Sequence, residues 1–129
     1  MTEKNQIYKC ALCGQIIEVV EPGAGELVCC GKPMQLLKPN TEDASQEKHV
    51  PVIRQEGNCT VVRIGSEPHP MAAAHFIGWA ELLLPCGKTI RAELLPGDAP
   101  EVRFPVPFDE RTQARIWCNI HGLWQNGHR

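Results

Sequence analysis

The segment Cys118-Asn119-Ile120-His121, close to the end of the 129-residue chain, organises the rest of the sequence. It places a thiolate and an imidazole close enough to bind one metal ion from a single turn. Three more histidines and a separate set of four cysteines lie upstream: His49, His69 and His75, and Cys10, Cys13, Cys29 and Cys30. The sequence therefore indicates two metal sites in one small protein.

The overall composition excludes several classes of function. The formal net charge is -2, the pI is near 6.2 and 43% of the residues are hydrophobic. There is no basic excess for nucleic acid or a membrane surface, and no apolar run of the roughly 20 residues that a membrane helix needs. The polar N-terminus lacks the apolar segment of a secretion signal. We therefore expect a cytoplasmic protein with no nucleic-acid and no membrane partner.

The cysteine content favours metal binding over disulfides. The chain has 7 cysteines, and an odd number cannot be fully paired within one chain. A reducing compartment also disfavours disulfides. Thiolates that bind metal are the better explanation before any spacing is considered.

Residues 1–37 are predicted to form a small unit that a metal ion holds together. Cys10-Ala11-Leu12-Cys13-Gly14 is a C-x-x-C-G knuckle, in which glycine is free to take a positive φ. Residues 7–10 and 16–20 are predicted strands, and Cys29-Cys30-Gly31 closes the site. A unit of this size buries too little apolar surface to be stable without a metal.

The adjacent pair Cys29-Cys30 is the informative part of this first site. Neighbouring side chains of an extended strand point to opposite faces, so both can bind one ion only if the backbone bends there. Four thiolates suit zinc or iron, and the spacing alone does not decide between them. The C-x-x-C knuckle favours zinc, the vicinal pair favours iron, and a vicinal disulfide is a third alternative.

Residues 38–46 are polar and turn-forming, and we interpret them as a linker to a domain over residues 47–129. Residues 88–95 alternate, with Ile90, Ala92 and Leu94 on one face. Residues 101–108 alternate as well, and Pro105 and Pro107 on their opposite face favour an edge strand. Further strands are predicted over residues 59–64, 76–84 and 111–117. Short strands separated by turns, without a long amphipathic helix, predict an all-β fold and a β-sandwich.

The second site combines unlike ligands. His49 and His69 lie in loops that nearby prolines stiffen, which suits pre-positioned ligands. Four imidazoles and one thiolate are too many ligands for a structural zinc ion. They suggest a square-pyramidal site with sulfur at the apex and one open coordination position opposite it. Mixed imidazole and thiolate ligands suit iron or copper as the bound metal. A thiolate opposite an open position indicates one-electron reduction of a small oxygen species.

Three segments together resemble the desulfoferrodoxin family of two-iron superoxide reductases. They are Glu47-Lys48-His49-Val50-Pro51-Val52, Pro68-His69-Pro70-Met71 with His75, and Cys118-Asn119-Ile120-His121-Gly122. The four N-terminal cysteines resemble those of the family's desulforedoxin-like domain. The resemblance covers nearly the whole chain, and its motifs occur in the family's order.

The resemblance implies a fold, two cofactors and an activity. The fold is a small desulforedoxin-like domain followed by an immunoglobulin-like β-sandwich, usually in a homodimer. Each chain is implied to bind two iron ions, whose ligands are Cys10, Cys13, Cys29 and Cys30 in one site and His49, His69, His75, His121 and Cys118 in the other. The implied activity is one-electron reduction of superoxide to hydrogen peroxide at a non-haem ferrous iron with an axial thiolate. The implied electron donor is rubredoxin-like.

The resemblance also implies catalytic roles for Glu47 and Lys48, which by residue type alone would be ordinary surface residues. Lys48 is expected to attract the superoxide anion and to position the water that delivers a proton. Glu47 is expected to occupy the open position on the oxidised iron. Cys59 and Cys86 match no ligand position, and we interpret them as small apolar fillers, with a reactive thiol as the alternative.

Three other functions are consistent with parts of the pattern. A plain electron carrier would have no open coordination position at its second metal and would not react with superoxide. A zinc-stapled interaction module would be colourless. A superoxide dismutase would also have to oxidise superoxide, and a strong thiolate donor with a closing carboxylate disfavours that half of the cycle.

Overall fold

The computed structural model describes residues 1–42 and 49–126, and every regular element in these ranges is a β-strand. The all-β class predicted from the sequence is therefore confirmed. The chain divides into two compact units, Met1–Lys38 and Pro39–Arg129. No helix among the described residues is long and apolar enough to cross a membrane.

The first unit contains five short strands and a very small core. The strands are β1 (Ile7–Lys9), β2 (Ile16–Glu18), β3 (Val28–Cys29), β4 (Lys32–Pro33) and β5 (Gln35–Leu37). Antiparallel pairing gives one sheet of order β2-β1-β5 and a separate β3-β4 hairpin. The buried apolar side chains described in this unit are Ile7, Cys10 and Val19. A core this small supports the expectation that a metal ion stabilises the unit.

The second unit is a sandwich of two antiparallel sheets. Its strands are β6 (Pro51–Glu56), β7 (Cys59–Ile64), β8 (Ile77–Leu83), β9 (Thr89–Glu93), β10 (Glu101–Phe104), β11 (Gln113–Cys118) and β12 (Gly122–Gln125). One sheet has the order β10-β7-β6 and the other β12-β11-β8-β9. Asn40, inside the predicted linker, pairs with the edge of β12. The N–H of Asn40 donates to the carbonyl of Leu123 (3.0 Å), and the N–H of Gln125 donates to the carbonyl of Asn40 (2.9 Å).

Alternating side chains form the core between the two sheets. In β9, Ile90 and Ala92 are partly buried whereas Thr89, Arg91 and Glu93 are exposed, as the sequence pattern predicts. The main buried cluster draws on both sheets and comprises Val62, Ile64, Ile77, Ala80, Leu82, Leu94, Phe104, Ala114, Ile116, Cys118 and Trp124. Cys118, a candidate metal ligand, is thus part of the core.

Strand β10 lies at a sheet edge, as its prolines predict, but it is shorter than the alternation indicates. It ends at Phe104 instead of continuing to residue 108. Pro105 has no N–H to continue the ladder with β7. The hydroxyl of Thr60 bonds the carbonyl of Val106 (3.0 Å), so a side chain holds the segment after the strand alongside β7.

A β-bulge between β8 and β11 sets which side chains face the core near the metal ligands. Trp117 pairs with Trp79 and Cys118 pairs with Ile77, so Gly78 is the extra residue. A Cβ at Gly78 would lie 3.0 Å from the Trp117 ring, which favours glycine there. Ala80 and Leu82 face the core; past the bulge Ile77 faces it as well. The bulge therefore reverses which side chains face the core in the segment between Gly78 and His75.

An ion pair is buried on β8 and β11. Glu81 and Arg115 lie opposite each other in the ladder, and their side chains are 1% and 7% exposed. Two guanidinium N–H groups of Arg115 donate to Oε1 of Glu81, one of them from Nε at 3.0 Å. Removing one partner of a buried pair leaves a charge in a medium that solvates it poorly.

We therefore predict that Glu81→Gln lowers the free energy of unfolding by about 3–5 kcal/mol. Urea denaturation followed by tryptophan fluorescence measures this, because all 3 tryptophans lie in the second unit. The matched control is Arg54→Gln, at the Arg54–Glu101 pair whose side chains are 43% and 42% exposed. It should cost less than about 1 kcal/mol. Equal small losses in both variants would contradict the prediction.

Candidate metal centres

The four N-terminal cysteines converge on one point. Their sulfur atoms all lie within 4.8 Å of one another. The Sγ atoms of Cys13 and Cys29 are 3.6 Å apart, and those of Cys29 and Cys30 are 3.9 Å apart. All seven cysteines are free thiols, so the vicinal disulfide alternative is not supported. The spacing suits four thiolates around one ion.

Backbone conformation explains how two loops present these sulfurs. The knuckle turns at Gly14, which has a φ of 80° and donates its N–H to the carbonyl of Cys10 (2.9 Å). The vicinal pair bends the chain as predicted: Cys30 has a φ of 52° and Gly31 a φ of 75°. Cys30 is a non-glycine residue in the left-handed region, which few side chains adopt without a compensating interaction.

Crowding of the sulfurs perturbs their protonation. The backbone N–H of Cys13 donates to Sγ of Cys10 (3.4 Å) and is the main cause that lowers the Cys10 pKa to about 6. The neighbouring thiol of Cys13 is the main cause that raises the pKa of Cys29 to about 12, and it also raises the pKa of Cys30. Four adjacent thiols cannot all lose their protons unless a cation compensates their charge. The cluster is therefore suited to a metal ion.

The remaining two cysteines belong to neither cluster. Cys59 is half-buried at the start of β7, consistent with a packing role. Cys86 is exposed in the turn after β8, so our interpretation of it as a buried apolar filler is wrong. The Pro85-Cys86-Gly87 turn leaves its side chain in solvent.

The second cluster brings together all five predicted ligand side chains. Donor atoms of His49, His75, Cys118 and His121 lie within 4.8 Å of one another. His69 joins them, with its Nε2 3.6 Å from Sγ of Cys118 and its ring centroid 4.8 Å from that of His75. Donors from four separate segments thus meet at one point in the second unit.

The sandwich positions these side chains at one end of its sheets. His49 precedes β6, His69 and His75 lie between β7 and β8, and Cys118 ends β11 with His121 in the following turn. His49 and Cys118 are each 0% exposed and His69 is 3% exposed, whereas His121 is exposed. The cluster is therefore buried on the core side and accessible on the side of His121.

Neighbouring groups orient the imidazoles. Nδ1 of His69 lies 2.7 Å from the carbonyl oxygen of Pro70. A carbonyl only accepts, so Nδ1 carries the proton and Nε2 keeps its lone pair toward the cluster. The indole of Trp124 stacks on His49 with ring centroids 4.6 Å apart, and its Nε1–H donates to the carbonyl of His121 (3.1 Å). Sequence reasoning missed Trp124, because nothing in the pattern distinguishes it from a core aromatic residue.

Both predicted catalytic residues lie outside the described part of the chain. Glu47 and Lys48 fall in residues 43–48, so the structure gives no position for either side chain. The side chain next in sequence, His49, is described and is buried in the second cluster.

The fold and these two clusters define a metalloprotein with one all-sulfur centre and one imidazole–thiolate centre. The family model described as Desulfoferrodoxin, N-terminal domain, matches residues 2–37, and the one described as Desulfoferrodoxin matches residues 41–127. The chain belongs to the desulfoferrodoxin family. Its first unit is accordingly of the desulforedoxin-like type.

Known relatives match nearly the whole length of the chain. A desulfoferrodoxin homolog from Archaeoglobus fulgidus is 53% identical over 127 residues, which are 98% of this chain and 100% of that protein. A protein named superoxide reductase from Pyrococcus horikoshii is 36% identical over 101 residues, 65% of this chain and 88% of that protein. The crystal structure of the superoxide reductase from Treponema pallidum superposes with a TM-score of 0.73 at 26% identity, covering 95% of this chain and 97% of that chain.

The donor sets fit two iron ions per chain. Four clustered thiols match a tetrathiolate iron, and mixed imidazole and thiolate ligands suit iron at the second cluster. The assignment of each individual side chain as a ligand is a prediction that substitution can test.

We predict that the full chain binds two irons and that Cys13→Ala binds one, because three thiolates hold iron far less well than four. Iron per chain is measured by plasma emission spectrometry after removal of free metal. The control is Cys86→Ala, which removes another exposed cysteine, outside both clusters, and should retain two irons. Two irons in Cys13→Ala would exclude this residue as a required ligand.

Proposed function

We propose that this protein is a superoxide reductase, which converts superoxide to hydrogen peroxide without releasing dioxygen. The observation that carries the proposal is the fully buried Cys118 sulfur with four imidazoles gathered around it. A thiolate among nitrogen donors favours electron donation to bound oxygen species. Relatives named superoxide reductase, from Pyrococcus horikoshii and Treponema pallidum, support the same activity.

The proposed reaction consumes one superoxide, one electron and two protons for each hydrogen peroxide. When bound, a ferrous ion supplies that electron, and the Cys118 thiolate strengthens it as a donor. The same donation disfavours the oxidation of superoxide that a dismutase requires. The nitrogen ligands that complete the site are proposed to be His49, His69, His75 and His121.

The protein's part is to hold these donors in place and to leave one side accessible. His69 and Cys118 are fixed in the interior, and the Pro70 carbonyl holds the His69 proton on Nδ1. Ile120, next to the exposed His121, is itself 58% exposed. We therefore place the entry of the small substrate anion on this side. A rigid arrangement needs little reorganisation during electron transfer.

Lys48 and Glu47 complete the proposed mechanism. The Lys48 ammonium group attracts superoxide and positions the water that delivers a proton. Glu47 would supply a carboxylate to a bound ferric ion and would so limit access of other ligands. Both proposals rest on the position of these residues directly before His49.

The proposal extends to partners and location. The electron donor is proposed to be a rubredoxin-like protein, and the chain to act as a cytoplasmic homodimer. The family resemblance supports these assignments, and an acidic pI of about 6.2 is compatible with a protein of the cell interior.

Cys118→Ser tests the role of the thiolate. We expect superoxide reduction to slow by more than the roughly 100-fold that loss of an outer-shell partner costs. Pulse radiolysis of the pre-reduced, iron-loaded variant measures the rate. Cys59→Ser makes the same chemical change outside both clusters and should keep the parent rate. An unchanged rate in iron-loaded Cys118→Ser would remove the basis of the proposal.

Lys48→Ala tests electrostatic capture. We expect the bimolecular rate constant to fall about tenfold at low salt and its dependence on ionic strength to weaken, because a positive charge near the site steers an anion. The matched control is Lys88→Ala, the same change at an exposed lysine in the turn after β8. A rate and a salt slope equal to those of the Lys88 control would argue against steering by Lys48.

A further inference from the structure

Asn119 links two of the loops that carry candidate ligands. Its side-chain Oδ1 accepts the backbone N–H of Phe76 (2.8 Å), and its Nδ2 donates to the carbonyl of Ala74 (3.0 Å). Its own backbone N–H donates to the carbonyl of Phe76 (3.2 Å). Three hydrogen bonds therefore join one residue, next to Cys118, to both neighbours of His75.

These bonds continue the sheet beyond the end of its ladder. Regular pairing of β8 with β11 stops at Ile77 and Cys118. The primary amide of Asn119 then pairs with the backbone on either side of His75, as a peptide group of a neighbouring strand would. An asparagine amide offers one acceptor and two donors, so it can satisfy a carbonyl and an N–H together.

The loop that carries His75 is closed on itself by a backbone bridge. Ala72 and His75 exchange two backbone hydrogen bonds, of 2.9 and 3.1 Å. Residues 72–74 are exposed and make no strand pairing beyond this bridge. Fixing Ala74 and Phe76 to Asn119 therefore fixes His75 with respect to Cys118. Both ends of the Asn119 amide are used in this way, which indicates positioning and not contact with substrate.

We propose that Asn119 is a positioning residue that holds His75 and Cys118 at the spacing required to bind the same iron. This inference rests on the proposed ligand set, since it concerns how two of those ligands are placed. Partners that orient metal ligands through hydrogen bonds typically change metal affinity by about 10–100-fold when they are removed.

The chain offers a matched control at the opposite end of β11. Asn126 also uses its side-chain amide on β11: its Oδ1 accepts the N–H of Ala114 (2.8 Å), and its backbone N–H donates to the carbonyl of Ala114 (3.2 Å). Ala114 lies near the start of β11, whereas Cys118 ends it. Asn126→Ala therefore removes a similar bond far along the strand from the candidate ligands.

The experiment follows release of iron from the full chain loaded with ⁵⁷Fe. Mössbauer spectroscopy separates tetrathiolate iron from iron with mostly nitrogen ligands, so the first site is an internal reference. After a chelator is added, we expect Asn119→Ala to lose the nitrogen-ligated iron about tenfold faster than the parent. Asn126→Ala should release it within about twofold of the parent, and the tetrathiolate signal should decay equally in all three proteins.

A double-mutant cycle shows whether Asn119 acts through His75. If it does, Asn119→Ala adds less than about twofold to the release rate in a His75→Ala background, because coupled residues are not additive. The proposal would be overturned if Asn119→Ala still raised the iron-release rate tenfold in the His75→Ala background. It would also be overturned if Asn126→Ala raised the release rate of the parent as much as Asn119→Ala does. A parent-like rate for Asn119→Ala with a fast rate for His75→Ala would overturn it too. A parent-like rate for His75→Ala would instead refute the proposed ligand set.

Discussion

The bulge at Gly78 is the constraint on which the imidazole–thiolate centre depends. If the strand continued without a bulge, Gly78 would lie opposite Cys118, and the alternation set by Ala80 and Leu82 would turn Ile77 away from the core. With it, Ile77 packs inside opposite Cys118, and the chain preceding Ile77 delivers His75 to the same end of the sandwich. A single-residue shift in register decides side-chain direction, because successive side chains of a strand alternate.

The two centres are built on different physical terms. The sulfur cluster is local: two tight turns supply four thiols, and the unit around them has little apolar core. Its folding is therefore tied to a cation that offsets thiolate repulsion. The second cluster gathers donors from distant segments on a sandwich with a large core of its own. Because that core makes the second unit rigid, a metal ion at the second cluster is not needed to hold the fold and can take part in a reaction.

Sequence patterns predict the local features well. Of the non-local features they indicate the five clustered ligands, through the resemblance to a known family, but not the contacts that hold those ligands in place. The C-x-x-C knuckle, the bend at Cys30 and the alternation of β9 follow from rules about neighbouring residues, and the structure agrees. The stacking of Trp124 on His49 and the hydrogen bonds from Asn119 to the neighbours of His75 join residues far apart in sequence. Such contacts exist only after the sheets pair in register, so spacing alone gives no signal for them.

The same limit applies to the strands. Clear alternation predicts β9 and the start of β10, but β12 has only four residues and directly follows the ligand turn. This segment forms a strand because it pairs with β11, and not because of its local sequence pattern. Cys86 likewise shows that a small apolar residue type does not fix burial at a turn. Tertiary context decides in each of these cases.

We propose that the imidazole–thiolate centre reduces superoxide and does not dismutate it. The most direct measurement mixes anaerobic, pre-reduced protein with a limiting pulse of superoxide and counts hydrogen peroxide and dioxygen. We expect one peroxide per superoxide, no dioxygen beyond the spontaneous background, and matching oxidation of the histidine-ligated iron. Return of half the superoxide as dioxygen, with no net oxidation of the iron, would contradict it.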